Sequence, residues 1–117
     1  MNMKTKNLSI LLIVLFSVLI TLFAQNNKTE KFKVNGNCGE CKVRIEKAAS
    51  SVSGVSIADW NIKTKTIEVT FNPVKTSLDK IEIAIANVGH DTQLHKAPDK
   101  AYNALPECCK YERKKTL

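Results

Sequence analysis

Between Glu30 and His95 the spacing of apolar residues changes from two to about 3.6 and back, and this alternation limits the chain to a mixed fold of strands and helices. Phe32 and Val34 share one face of Glu30 to Val34, the pattern of a half-buried strand. Gly36-Asn37 breaks it. From about Glu40 to Ser51 the apolar residues Cys41, Ile45, Ala48 or Ala49, and Val52 recur at steps of three and four, which predicts a helix ended by Ser53-Gly54. Val55 to Ile62 reads as a second strand, with Ala58, Trp60 and Ile62 inward, Ser56 in line with them, and Asp59 and Asn61 opposite. Lys63-Thr64-Lys65 is a turn, and Thr66 to Phe71 is a third strand with Ile67, Val69 and Phe71 inward. Pro73 cannot donate to a ladder and ends it. Thr76, with Asp79 three residues on, starts a second helix whose stripe is Leu78, Ile81, Ile85 and Val88, with Ala84 beside it. Gly89 stops that helix, and His90 to His95 is weakly strand-like. The order β-α-β-β-α-β predicts an α+β, ferredoxin-like sandwich: a four-stranded antiparallel sheet with two helices on one face.

The ends lie outside that pattern. Lys4 and Lys6 precede an uncharged apolar run from Leu8 to Phe23, and the small residue Ala24 follows. This is the layout of a secretory signal. The run is 16 residues, shorter than the roughly 20 of a spanning helix. Leu22 stands where cleavage favours a small residue, so an uncleaved membrane anchor is the alternative. The organisation read from the sequence is a signal segment at 1–24, a polar linker at 25–29, a domain at 30–95 and an extension at 96–117. The place expected for it is outside the cytoplasm, periplasmic or secreted. The formal charge is +7, and loss of Lys4 and Lys6 leaves +5. Positive residues are scattered apart from Arg113, Lys114 and Lys115, and aromatics do not interleave with them. The charge suits solubility or an acidic partner, and nucleic acid is not an expected partner.

Four cysteines fall in the part after the leader: Cys38, Cys41, Cys108 and Cys109. Two disulfides are the usual reading of an exported chain with four cysteines. Adjacent Cys108 and Cys109 fit that badly, because a bond between neighbours is strained. Cys38 and Cys41 form C-x-x-C where the first strand passes into the first helix. A three-residue step puts both side chains on one side of a turn, about 5–6 Å apart at Cβ. Metal–sulfur bonds of about 2.3 Å can bridge that gap. The helix N-terminus favours the thiolate, Lys42 and Arg44 add positive charge, and Glu40 opposes it. Two sulfurs and few other ligands suit Cu(I), with Hg(II), Cd(II) and Zn(II) also accepting thiolates. An open two-sulfur site on a loop suits handing an ion to another protein. A Cys38–Cys41 disulfide or two idle thiols is the plainer alternative.

Gly36-Asn37-Cys38-Gly39-Glu40-Cys41, followed by Val43, Ile45, Glu46 and Ala48, resembles the heavy-metal-associated domain family. Gly54-Val55, the strand end from Ile67 to Pro73, and Ala86-Asn87-Val88-Gly89-His90 extend the likeness over about Lys31 to Leu94. That family includes copper chaperones, N-terminal modules of copper-pumping ATPases and periplasmic mercury-binding proteins. The resemblance implies metal binding by Cys38 and Cys41 and docking to a metal transporter or another metal-binding protein that takes or supplies the ion. The family usually has Met before the first motif cysteine, packed inward, and here Asn37 stands there. The extension with Cys108 and Cys109 lies outside the family pattern.

Further ligand candidates are His90, by analogy with chaperones that carry a metal-reaching His in this loop, and the Cys108–Cys109 pair, as a second sulfur source. For His90 the plainer alternative is an exposed loop residue. For the pair it is tail thiols or a bridge to another chain. His95 reads as a surface residue and Trp60 as core. Tyr102, Leu105 and Tyr111 are expected to dock the tail on the sheet. The chain is expected to be a carrier, chaperone or scavenger and not an enzyme, monomeric or a metal-bridged dimer. A thiol–disulfide redox protein and a regulatory module docking on a membrane transporter are the competing readings.

Overall fold

The computed structural model describes residues 7, 9–17 and 26–113. Residues 9–17 are helical, and the large apolar side chains from Ile10 to Phe16 are exposed. The expected cleavage point at Ala24 lies outside the described residues. Among the described residues no helix is long and apolar enough to cross a membrane.

From residue 28 onward the order is β1 (Lys28–Lys33), α1 (Gly39–Ser50), β2 (Val55–Asn61), β3 (Thr66–Phe71), α2 (Leu78–Asn87), a short α3 (Asp99–Asn103) and a 3-10 turn (Glu107–Cys109). The strands form an antiparallel sheet in the order β1-β3-β2. Period-two burial is cleanest on β3, where Ile67, Val69 and Phe71 are buried and their neighbours are half-buried. With Phe32, Val34 and Trp60 they meet Ile45, Ala48 and Ala49 of α1 and Ile81 and Ile85 of α2 in one core. Each fully buried Ile contributes about 1.5–3 kcal/mol relative to exposure. Two glycines permit the α–β connections. Gly54 has φ +104 and no room for a Cβ beside Lys75, and Gly89 has φ +111 at the end of α2.

The four-stranded sheet is not what forms: the sheet has three strands among the described residues. The segment expected to be the fourth contributes one bridge, Val34 to Thr92, and one hydrogen bond, from Asn35 N–H to the Asp91 carbonyl at 2.9 Å. Thr92 instead donates its N–H to the His95 carbonyl at 2.8 Å, which turns the chain away from β1. The second helix also starts later than expected. Its cap is Ser77, whose hydroxyl accepts from Lys80 N–H at 3.3 Å, while Thr76 is buried. Its buried face is Ile81, Glu82, Ile85 and Ala86, and Val88 is exposed. Glu82 is buried because the chain after α2 returns over it, and its carboxylate accepts from Leu94 N–H at 3.1 Å.

A bulge between Val55 and Ile57 changes the face that leads into β2, so Val55 rather than Ser56 packs on the core. Ile62 lies past the strand end and is exposed. On this edge strand the Trp60 N–H is taken by the Glu46 carboxylate of α1 at 2.9 Å. Trp60 is fully buried, as expected of a core residue, and its indole donates to the Val34 carbonyl at 3.1 Å.

Candidate metal centre

The loop from β1 into α1 is shaped by close approach. Gly36 is buried where a Cβ would sit 3.0 Å from the Trp60 ring and 3.1 Å from Cys41 Cβ. Cys38 is the extended cap residue of α1, and Cys41 lies in the first turn, fully buried. Their sulfurs are 3.2 Å apart. Asn37 is exposed and fills no inward pocket. Its backbone N–H donates to Cys41 Sγ at 3.3 Å.

The extension reaches this loop. Pro106 starts the 3-10 turn that carries the cysteine pair, closed by Cys109 N–H to the Pro106 carbonyl at 2.9 Å. Cys108 Sγ stands 3.2 Å and Cys109 Sγ 3.3 Å from Cys38 Sγ, and the pair itself is 3.9 Å apart. Cys38 is therefore the hub of a cluster of four free thiols. Arg44 donates from Nη1 to Cys109 Sγ at 3.2 Å, and the Cys108 thiol donates to Glu40 at 3.4 Å. Lys42 is not part of this field. Its ammonium turns to Glu46, Asp59 and the Trp60 carbonyl at 2.7–2.8 Å, and among the described residues Arg44 is the cation that donates to a sulfur.

Cys38, Cys108 and Cys109 are shifted in opposite directions. Burial works against ionising Cys38, but the hydrogen bonds it shares with Cys108, Cys41 and Cys109, with help from the Cys41 amide, outweigh that and lower it to about 6. Cys108 is raised to about 11, first by its bond to Cys38, then by burial and by Glu40. Burial, followed by Cys41 and Cys38, pushes Cys109 up against the opposing pull of Arg44. Of these three, the half-buried hub Cys38 is the one whose thiolate is favoured.

The docking ground of the tail is the loop after α2 and not the sheet. Tyr111 is buried, and its ring stacks on His90 at 5.7 Å between centroids. The Tyr111 hydroxyl donates to the Gly89 carbonyl and accepts from Asp91 N–H, both at 2.8 Å. Tyr102 meets Tyr111 edge-on at 5.1 Å. Arg113 forks onto Asp91 at 2.7 and 3.1 Å, reaches Asp99 at 2.9 Å and covers the Tyr102 ring. Leu105 packs where Gly89 lacks a Cβ.

His90 is a buried residue of this docking ground and not an exposed one. Its Nδ1 lies 2.8 Å from the Asn35 carbonyl, so the donor tautomer at Nδ1 ties the two loops together. Burial lowers its pKa, with Arg44 adding to this and the Asn35 and Asp91 contacts opposing it. The ligand-type atoms that gather within 4.8 Å of one another among the described residues are the sulfurs of Cys38, Cys108 and Cys109; Cys41, which touches Cys38, and His90 are not in that group. His95 pairs with Asp79 at 2.6 Å, away from the sulfurs. The sequence reading missed Arg44 as the specific sulfur partner and Arg113 as an anchor of the tail.

Residues 31–91 match the model of the heavy-metal-associated domain. The chain belongs to this family. The mercuric transport protein periplasmic component from Pseudomonas aeruginosa is 37% identical to this chain over 57 residues, 49% of this chain and 63% of that protein. The copper chaperone CopZ of Staphylococcus saprophyticus is 32% identical over 66 residues, 56% of this chain and 97% of that one. The solved structure of oxidized MerP from Ralstonia metallidurans CH34 superposes with a TM-score of 0.55 at 35% identity, over 57% of this chain and 94% of that chain. The chain spans only 9% of a copper-exporting P-type ATPase from Staphylococcus saprophyticus and under two thirds of the mercuric transport component. It is a metal-binding α+β domain of the heavy-metal-associated type, and the family match ends before Cys108 and Cys109.

Proposed function

We propose that the protein is an exported carrier or scavenger of a soft metal ion, held first by Cys38 and Cys41, with Cu(I) the leading cargo and Hg(II), Cd(II) or Zn(II) within reach of the same thiolates. The observation that carries this is the pair of sulfurs 3.2 Å apart at the start of α1, with the Cys38 pKa near 6. A thiolate is both the ligand and the exchanging nucleophile for such ions, so a hub already ionised near neutrality suits capture and transfer. The ion is cargo, and the chain's residues do the rest. The α1 start orients the two sulfurs, the Asn37 amide donates to Cys41, and the buried Trp60 ring backs the loop at Gly36. The export reading rests on Lys4, Lys6, the apolar run and Ala24, and the mature chain would begin near Gln25. A membrane metal transporter or a second metal-binding protein is the proposed partner.

The test is anaerobic. Wild type and the variants Cys38→Ser and Cys41→Ser are titrated with Cu(I) against a chromogenic chelator, and thiols and intact mass are measured on the same exported protein. One ion per wild-type chain, and loss of tight binding in both variants with a retained fold, is the expected result. Wild-type affinity in either variant would refute the assignment.

A further inference from the structure

We propose that residues 105–113 are a sulfur-bearing clasp: Cys108 and Cys109 join Cys38 and Cys41 around one thiophilic ion, so that the domain retains its cargo instead of presenting it on an open two-sulfur loop. This rests on the metal reading of Cys38 and Cys41 above.

The first support is the arrangement of sulfur. Cys38 Sγ has three other sulfurs at 3.2–3.3 Å. Ligands of a tetrahedral ion with metal–sulfur bonds of about 2.3 Å lie about 3.8 Å apart. The sulfurs of Cys38, Cys108 and Cys109 already lie within 4.8 Å of one another, and Cys41, hydrogen-bonded to Cys38 but outside that group, completes the set by a side-chain movement toward it. The second is that the pair is anchored by groups other than its own sulfurs. Leu105 packs on Gly89 before it, and Tyr111 and Arg113 fasten to Gly89, His90 and Asp91 after it. His90 in turn holds the Asn35 carbonyl, three residues before Cys38, so one loop positions both pairs. The third is charge. Four thiolates around Cu(I) or a dication leave a net negative centre, and Arg44 donates to Cys109 Sγ from the next turn of α1. Binding is a ligand exchange without redox change: each sulfur gives a lone pair to the ion, and each thiol that ionises releases its proton to solvent.

Burial then orders the release. Cys41 and Cys109 are buried, Cys38 is half-buried and Cys108 is exposed. An incoming thiol reaches the ion on the Cys108 side first. In this chain the tail stands where an acceptor's sulfur would have to approach Cys38, and transfer requires the tail to give way. Cys108 and Cys109 are ligands in this proposal, and Tyr111 is a positioning residue.

The experiment uses the full chain, reduced and loaded anaerobically with one equivalent of Hg(II). Sulfur coordination is counted by X-ray absorption, and loss of Hg(II) to a small chelating dithiol is timed. Wild type should show more than two sulfurs. Cys108→Ser is an exposed change that leaves the core intact and should remove one sulfur. C108S/C109S should fall to two sulfurs and lose Hg(II) at least about tenfold faster. Tyr111→Ala keeps all four thiols and should still lose sulfur count and release faster. Two sulfurs in wild type, or the same count and release rate in wild type and C108S/C109S, overturns the clasp and leaves the Cys38–Cys41 site standing. Hg(II) held as tightly after Cys38→Ser with Cys41→Ser would instead overturn the underlying reading.

Discussion

Tyr111→Phe removes one oxygen, and the structure sets what that costs. The hydroxyl serves two backbone groups, the Gly89 carbonyl and the Asp91 N–H, each at 2.8 Å. Tyr111 is 3% exposed, and burial raises its phenol to about 12, so water does not compete freely for those groups. A buried group left without its partner costs about 1–3 kcal/mol, and two such groups with partial relaxation give an expected loss of about 2 kcal/mol. That is a large share of the 5–15 kcal/mol typical of a small domain. With a urea slope of about 1.5 kcal/mol/M the midpoint should fall by about 1.3 M at unchanged slope. Urea unfolding followed by tryptophan fluorescence reads the midpoint, because Trp60 is in the same core. Hydrogen exchange at the Asp91 amide reads the local effect. An unchanged midpoint together with an unchanged exchange rate would refute the claim that this hydroxyl pins the tail to the loop.

Two further outcomes are expected. Gly89→Ala forces a side chain into φ +111, with its Cβ 2.9 Å from the Ala101 carbonyl and from Leu105, and should cost at least about 1–2 kcal/mol in the same urea assay; wild-type stability would contradict this. In the metal-free reduced protein, alkylation of Cys38 should rise with pH through a midpoint near 6, because the lowered pKa makes the thiolate the main form above that value, and Cys38→Ser should abolish this phase. A first midpoint at the ordinary thiol value would show that the sulfur cluster does not stabilise the Cys38 thiolate.

Local physics made part of this protein legible from its sequence. A three-residue step on a helix start brings Cys38 and Cys41 together whatever surrounds them, and the period-two run Ile67-Val69-Phe71 needs only a sheet with one buried face. Gly54 and Gly89 also declare themselves, because their conformation excludes most other residues. Other features depend on distant neighbours and carry no local period. The segment His90 to His95 has strand-like composition, yet the Thr92 turn onto His95 reduces the fourth strand to a bridge. Lys42 and Arg44 look equivalent beside the motif; Lys42 has Glu46 one turn on in α1, but only the position of β2 adds Asp59 to it, and only the returning tail brings Cys109 to Arg44. Cys108 and Cys109 announce their chemistry by type alone. Where they go is decided by Tyr111 on His90 and Arg113 on Asp91, contacts across about twenty residues whose partners are named by the folded surface and not by spacing. The sequence by itself determined the closeness of Cys38 and Cys41 and most of the frame that holds them. The tertiary structure alone decided that the tail lies across that pair, because long-range packing requires both surfaces to exist before either residue has a partner.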